Sequence, residues 1–304
     1  MATPMRATDF RSIVEPIISQ SFDGVYEQRA DEWKQVFKEE KGTPRQYHEE
    51  PVLYGFGAAP ELPDGTPVTY QSGGVLFIKR YVYKVYGLAF ALTKVLVEDG
   101  DHIRIGQTYA KHLAQSLIET KETLAANVLN RAFNGSYLGG DGVQLVSGSH
   151  PIVTGTFSNQ LTTAANLSQT SLEQMLIQIR NAVDNNGKRI RLQPKGLVVA
   201  PGNVFQAEVI LKSVLRAGTA NNDINPINSM GLLSEGQKNL SRLTSATAWW
   251  VQTDAPEGLK LMKRRGLEKS MEGDFETDSM RYKSTERYDL GWTDPRSVYG
   301  TPGL

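Results

Sequence analysis

Hydrophobic and polar positions follow different periods along the chain, and the clearest lies between residues 102 and 134. Ile105, Tyr109, Leu113, Leu117, Leu124 and Val128 recur there at intervals of four or seven, with Lys111, Glu119, Glu122 and Arg131 between them. That spacing predicts a single amphipathic helix of about 45–50 Å, stopped by Asn134-Gly135-Ser136. Without sustained heptads it is not a coiled coil.

Before it, residues 50–86 alternate like strands. The limb PVLYGFGAA leads into PELPDGTP, with Pro60, Pro63, Pro67 and the turn signal Asp64-Gly65. The return limb, VLFIKRYVYKVYG, is thick with β-branched and aromatic residues. The pattern predicts one long hairpin, roughly 33 Å per ten residues. It has no core of its own, and a lone hairpin is marginal in water, so it must lie on another surface.

Residues 1–49 are polar, with two helical patterns. One carries Ile13, Val14, Ile17 and Ile18. The other, near Val25 to Lys41, alternates charge around a thin stripe of Val25, Trp33, Val36 and Phe37, and reads as a solvated helix or as an arm on a neighbouring molecule. Residues 151–252 read as an α/β unit. Thr170 and Glu173 suggest a capping box for a helix burying Leu172, Met175, Leu176, Ile179 and Val183. A buried strand follows at 196–200, and Pro201 opens a helix through Phe205, Val209, Ile210 and Val214. A turn-rich stretch (218–230) precedes a strand at 247–252. The last fifty residues return to β character.

Composition narrows the function classes. Lys plus Arg equals Asp plus Glu, 33 against 33, which argues against a dedicated nucleic-acid binder and suits packing against copies of itself. The chain has no Cys, so disulfides, thiolate metal sites and Cys nucleophiles are excluded. No window offers the ~18 consecutive apolar residues of a membrane span, and no membrane partner is expected.

Candidate chemistry is sparse. Ser147, Ser149 and His150 fall together in LVSGSHP, but a triad is a spatial arrangement, no G-x-S-x-G elbow exists, and a tight turn ending at Pro151 is the better reading. GLLSEGQK (231–238) echoes a phosphate loop but has Gln237 where Lys is required. His48, His102, His112 and His150 show no ligand spacing; His48 should lie at the surface, and His112, beside Leu113 on the long helix, should be hydrogen-bonded or exposed. Lys263-Arg264-Arg265 is a short basic cluster followed by Glu268, Glu272, Asp274, Glu276 and Asp278. The two could meet across copies or form a solvated hairpin. No catalytic, metal or cofactor residue is expected.

The order of elements resembles a known family. A polar arm, a projecting hairpin, one long helix, an inserted α/β unit and closing strands are similar to the α+β Hong Kong 97-like fold of tailed-bacteriophage major capsid proteins. Gly140-Asp141-Gly142-Val143-Gln144-Leu145-Val146-Ser147 and His150-Pro151 resemble a "DG-x-x-L-F-S-x-x-HP" segment of some phage head subunits, with Val146 in place of Phe. Arg287-Tyr288-Asp289-Leu290-Gly291-Trp292-Thr293-Asp294-Pro295-Arg296 resembles their terminal strand.

The resemblance implies an N-arm (1–49), an E-loop (50–86), a P-domain with its spine helix (87–150), an A-domain (151–252) and closing P-domain strands (253–304). It implies hexamers and pentamers in an icosahedral shell around DNA, assembled in the host cytoplasm and kept in the virion. Partners would be portal protein, a separate scaffolding protein (the arm starts near Met1) and a possible decoration protein, with non-specific contact to DNA. Lys79 and Lys84 lie in the loop limb where some members cross-link, but no partner residue can be named. Contacts between copies are expected from Trp33, Phe37, Tyr54, Phe56, Asp64, Gly65, Phe77, Lys79, Tyr81, Lys263, Arg264 and Arg265. An encapsulin-type compartment is the alternative within the fold, and a serine hydrolase the alternative outside it.

Overall fold

The computed structural model describes residues 7–28, 31–93, 95–96, 102–216, 223–274 and 279–304, with the backbone alone for 7–13. The long helix forms as expected, as His102–Asn130, and is about 44 Å long. Its buried face differs from the one read off the large residues. Tyr109 is half exposed, while Ala110, Ala114, Ala125 and Ala126 are buried beside Leu113, Leu117 and Leu129. Alanines carry little hydrophobic signal but permit close approach. The first helix, α1 (Ala7–Tyr26), uses this by packing Val14, Ile18 and Phe22 against the N-terminal half of the long helix, α2. A Cβ at Gly106 would come within 2.9 Å of Ile18, so α1 crosses where the side chain is missing.

The second helical pattern does not form a helix. Residues Glu32–Gln35 make one 3-10 turn and Lys38–Lys41 become strand β1. Trp33, Val36 and Phe37 are buried against Ala125, Ala126 and Leu129 of α2 and the sheets beyond. The buried Glu122 carboxylate accepts the Trp33 N–H at 3.0 Å, and burial raises its pKa. A turn delivers the thin stripe to the core as a helix would, and frees the following residues to pair.

The predicted hairpin divides at Tyr83. Tyr47–Tyr54 (β2) pairs antiparallel with Gly74–Val82 (β3). Lys84–Leu92 (β4) leaves them to pair with Met280–Trp292 (β11). Aromatic spacing explains the switch: Tyr86 stacks on Tyr288 at 4.7 Å between ring centroids, and Phe90 lies 5.4 Å from Tyr282. Strand β11 also pairs with Leu259–Gly273 (β10), with register shifts near Arg265, and β1 joins β10 in parallel. The resulting sheet has the order β1-β10-β11-β4.

The α/β unit opens with the small hairpin of His150–Ile152 (β5) and Gly155–Phe157 (β6). Its sheet contains Pro194–Val199 (β7), Gln237–Asn239 (β8) and Trp249–Thr253 (β9). The C-terminal strand Val298–Thr301 (β12) joins it too, in the order β12-β9-β7-β8, so the end of the chain pairs here and not with the other sheet. Side-chain alternation sends Val198, Trp250 and Val298 into one core and Leu197, Val199, Trp249, Val251 and Tyr299 into another. A sheet covered on both faces explains the continuous apolar runs.

Helix α3 (Gln169–Arg180) is capped by Ser168 with Ser171 in a reciprocal box, two residues earlier than the expected Thr170–Glu173 pair. Glu173 instead binds Arg216 at 3.0 Å. Pro201 lies in a 3-10 turn ahead of α4 (Val204–Lys212), which stops before Val214. A single turn, α5 (Pro226–Ser229), closes the stretch expected to be turn-rich, of which 218–222 lie outside the described residues.

Trp250 is 1% exposed and stacks on Phe133 of the segment leaving α2. Trp250→Ala is expected to lower unfolding stability by about 3–5 kcal/mol, read as a reduced urea midpoint with an unchanged slope.

Candidate assembly surfaces

The β2–β3 hairpin projects from a charged root. The Lys260 ammonium, on a side chain 2% exposed, lies 2.8 Å from Glu50 of β2 and 3.4 Å from Glu40 of β1, and also pairs with Glu257 ahead of β10. Thr293 bonds Glu50, and the buried Tyr81 phenol bonds Thr293 at 2.7 Å. The Asp289 carboxylate accepts the Val82 N–H at 3.0 Å. Burial works to lower the Lys260 pKa, but the Glu257 and Glu50 hydrogen bonds outweigh it and hold the amine above its ordinary value. Burial works to raise the Glu40 carboxyl, and its bonds to Lys38 and Lys260 hold it below. Among the described residues Glu40, Glu50 and Glu257 are the one trio able to ligate a cation, and the Lys260 ammonium already serves them as counter-ion.

Further out, side chains of the 184–188 turn grip the hairpin. Asn185 donates to the Leu53 carbonyl, Asn186 to Gly55, and Lys188 to Phe56, at 2.7–2.9 Å. Beyond that grip, residues 55–73 form no strand. Thr66 donates to the Pro63 carbonyl across a turn whose Gly65 has φ +79°, the left-handed value that favours Gly. Phe56, Leu62, Val68 and Tyr70 are exposed around an apolar hollow of about 400 Å³. Exposed apolar surface of that kind marks a docking region.

The residues expected to touch neighbours fall into three groups. Phe56, Asp64 and Gly65 are exposed, and Tyr54 and Phe77 half-buried. Trp33, Phe37 and Tyr81 are at most 3% exposed, enclosed by their own chain and closed to a neighbour. Aromatic residues on a coreless hairpin or arm invite the interface reading, but these three anchor those segments to their own subunit. The cations also have partners in their own subunit. Lys79 lies 4.8 Å from the Trp292 ring centroid, and burial lowers its pKa. Lys263 pairs with Glu39 at 2.8 Å, Arg264 donates to the Thr43 carbonyl, and Arg265 to Thr285 and Glu268. The basic cluster therefore has partners within the subunit, as a solvated hairpin does, and Glu276 and Asp278 lie outside the described residues.

The Ser149–His150 idea is overturned. His150 is fully buried; Nδ1 meets Asp141 Oδ2 at 2.6 Å and Nε2 meets Asn159 Oδ1 at 3.1 Å, leaving no ring nitrogen for a serine. Asn159 Nδ2 donates to the carbonyls of Leu145, Pro295 and Val298, so the turn after α2 is fastened to the chain's last segment. His150 also begins the β5–β6 hairpin where an ending turn was expected. His48 is partly buried, 3.3 Å from Glu50, and His112 is exposed.

Two surfaces escaped the sequence reading. Helix α4 and the described residues after it expose Phe205, Val209, Val214, Leu215 and Ile224, where a buried face was expected and only Ala207 and Ile210 bury. A basic strip over 180–195 carries Arg180, Lys188, Arg189, Arg191 and Lys195 against a single carboxylate, Asp184. Its spacing was visible in the sequence but less conspicuous than three consecutive cations.

These features define a subunit that projects a coreless hairpin from a rigid two-sheet body and leaves apolar and charged surface uncovered. Residues 79–300 match the model of the phage capsid protein family, and the chain belongs to that family. Its fold is the Hong Kong 97-like capsid fold. The structure is similar to the capsid of cyanophage P-SCSP1u (TM-score 0.59, 11% identity, 91% of this chain and 89% of that one). It is similar to the mature capsid of bacteriophage PhiM1 (0.55, 12%, 90% and 87%). It is also similar to a virus-like particle from Pyrococcus furiosus (0.52, 10%, 94% and 98%). At such identities the likeness speaks to the fold. No curated protein matches the chain.

Lys260→Met leaves Glu40, Glu50 and Glu257 facing one another and is expected to cost about 3–5 kcal/mol at pH 7, read from denaturant midpoints. The cost should shrink in acid. Glu40 is held below its ordinary value of 4.5, so its contribution is complete above that pH and lost as pH falls through the lower folded value. The Lys260 contribution is complete below its ordinary 10.5 and lost as pH rises through the higher folded value. A variant as stable as wild type at pH 7 would disprove the clasp.

Proposed function

We propose that this capsid protein builds an icosahedral phage head as hexamers and pentamers enclosing DNA. The observation that carries the reading is the hairpin: charges fix its root, yet its outer residues 55–73 expose Phe56, Leu62, Val68 and Tyr70. Burying such surface needs a neighbouring copy, and permanent assemblies commonly bury ~2,000–5,000 Å² per interface. In this reading residues 1–49 are the N-arm, 50–86 the E-loop, 87–150 and 253–304 the P-domain, and 151–252 the A-domain. Tyr54, Phe56, Asp64, Gly65 and Phe77 are the copy-facing residues that remain from the sequence expectation. The exposed row Phe205, Val209 and Val214 adds an A-domain contact.

A portal protein, a separate scaffolding protein and a possible decoration protein complete the assembly, which forms in the host cytoplasm and persists in the virion. DNA contact is non-specific, consistent with equal numbers of cationic and anionic side chains. The work is mechanical, and no residue is assigned a catalytic role. A cargo-holding compartment is the second reading, favoured by likeness to the virus-like particle over nearly all of both chains.

Electron microscopy of the expressed protein, with and without a candidate scaffolding protein, is expected to show closed icosahedral particles. Nucleic acid inside particles from infected cells supports the head; a packed protein cargo supports the compartment. A stable monomer that never assembles would overturn both.

A further inference from the structure

Two cations of the basic strip, Arg189 and Arg191, and the two carboxylates of the hairpin tip have no partner among the described residues. From Ala182 to Ile190 the chain folds back on itself as a narrow ladder: Ile190 donates to the Ala182 carbonyl at 2.9 Å and Asp184 to the Lys188 carbonyl at 2.7 Å, with a bridge between Val183 and Arg189. Ile190 and Leu192 turn into the core beneath the α/β sheet. Strand-like alternation therefore sends Arg189 and Arg191 outward, and both are exposed. Among the described residues neither guanidinium has an ion-pair or hydrogen-bond partner. Arg180, at the end of α3, is accounted for by the helix dipole, and Lys188 by Asp184 and the Phe56 carbonyl. Arg189 and Arg191 have no such explanation. Beside Arg180, one helical turn back, Ile177 is 60% exposed.

The tip offers the complement. Residues 55–73 contain Glu61 and Asp64 and no cation. Both carboxylates are exposed and, among the described residues, without a partner, surrounded by exposed Leu62, Val68 and Tyr70. We infer that the acidic, apolar hairpin tip of a second copy docks on this strip, with Glu61 and Asp64 meeting Arg189 and Arg191 and the apolar residues covering Ile177. The inference rests on the shell-forming reading and names the surface that receives the hairpin. Packaged DNA is the competing occupant. Protein is favoured because the chain has no overall surplus of cations, and because an apolar side chain borders the strip, where a phosphate backbone has no use for one. The contact is heterologous: each copy gives a tip and receives one, as ring closure requires.

Charge reversal separates the possibilities. Arg189→Glu with Arg191→Glu should cut the yield of closed particles by about tenfold or more, as should Glu61→Arg with Asp64→Arg, because like charges then face each other. All four side chains are exposed, so circular dichroism and melting of the variants should match wild type. Combining all four reversals should bring the yield back to within about threefold of wild type, the signature of direct coupling. Normal assembly by the strip variant overturns the inference, and so does failure of the combined variant to recover. Particles that assemble normally but retain less DNA identify DNA as the occupant and also overturn it. Wild-type protein that forms no particles overturns the shell reading itself, which none of the variant results does.

Discussion

A buried ammonium that must be matched is the constraint on which the subunit's shape depends. Lys260 sits in the central sheet at 2% exposure, and its counter-charges come from three separate segments: Glu40 in β1, Glu50 in β2 and Glu257 ahead of β10. An unmatched charge there would cost several kcal/mol. The sheet therefore cannot form cheaply unless the arm and the hairpin root arrive with it. The Thr293 hydroxyl and Tyr81 phenol extend the same network to the second limb. A hairpin with no core would otherwise sample many exit angles, and each would have to be given up on meeting a neighbour.

The body that carries the hairpin is stiff for a different reason. The β12-β9-β7-β8 sheet is covered on both faces, so the two largest apolar clusters share one set of strands and cannot slide independently. Asn159 adds a polar rivet, joining the turn after α2, the β5–β6 hairpin through His150, and the final segment. Replacing its side chain by an apolar one would leave buried carbonyls without donors, a larger loss than the bonds themselves contribute. The segment that suggested a hydrolase is thus a structural joint, and Asp141 and His150 of the family-like stretch are its paired members.

What the sequence disclosed follows from which forces are local. The α2 helix was legible because Leu113 and Leu117 repeat within one element, and the turn at Asp64-Gly65 because φ +79° favours Gly. The β-rich limb was legible as strand but not as two strands, since the break at Tyr83 is decided by Tyr288 and Tyr282, some two hundred residues away. Trp33, Phe37 and Tyr81 looked like interface residues because hydrophobicity reports a need for burial and not who supplies the cover. The strip at Arg189 and Arg191 went unnoticed for the converse reason. Its cations are spaced by inward-facing Ile190 and Leu192, and only the fold shows that they share a face while Lys263, Arg264 and Arg265 are occupied.

Shell assembly makes opposing demands on one segment. The proposed head, with both pentamers and hexamers, asks the same chain to close rings of two sizes, so the angle between neighbours must vary while the contacts persist. A wholly rigid hairpin would fit one ring and strain the other; a wholly free one would lose the advantage of pre-organisation. The structure divides the segment accordingly. Charges at Lys260 and hydrogen bonds from the Asn185 and Asn186 side chains hold the root up to Phe56, just past the end of strand β2 at Tyr54. Glu61, Leu62 and Asp64, which the proposal sets against a neighbour, lie on the part of the loop that belongs to no strand ladder. In the proposed head the clasp would set direction, and the irregular tip would be the part left to adapt between five neighbours and six.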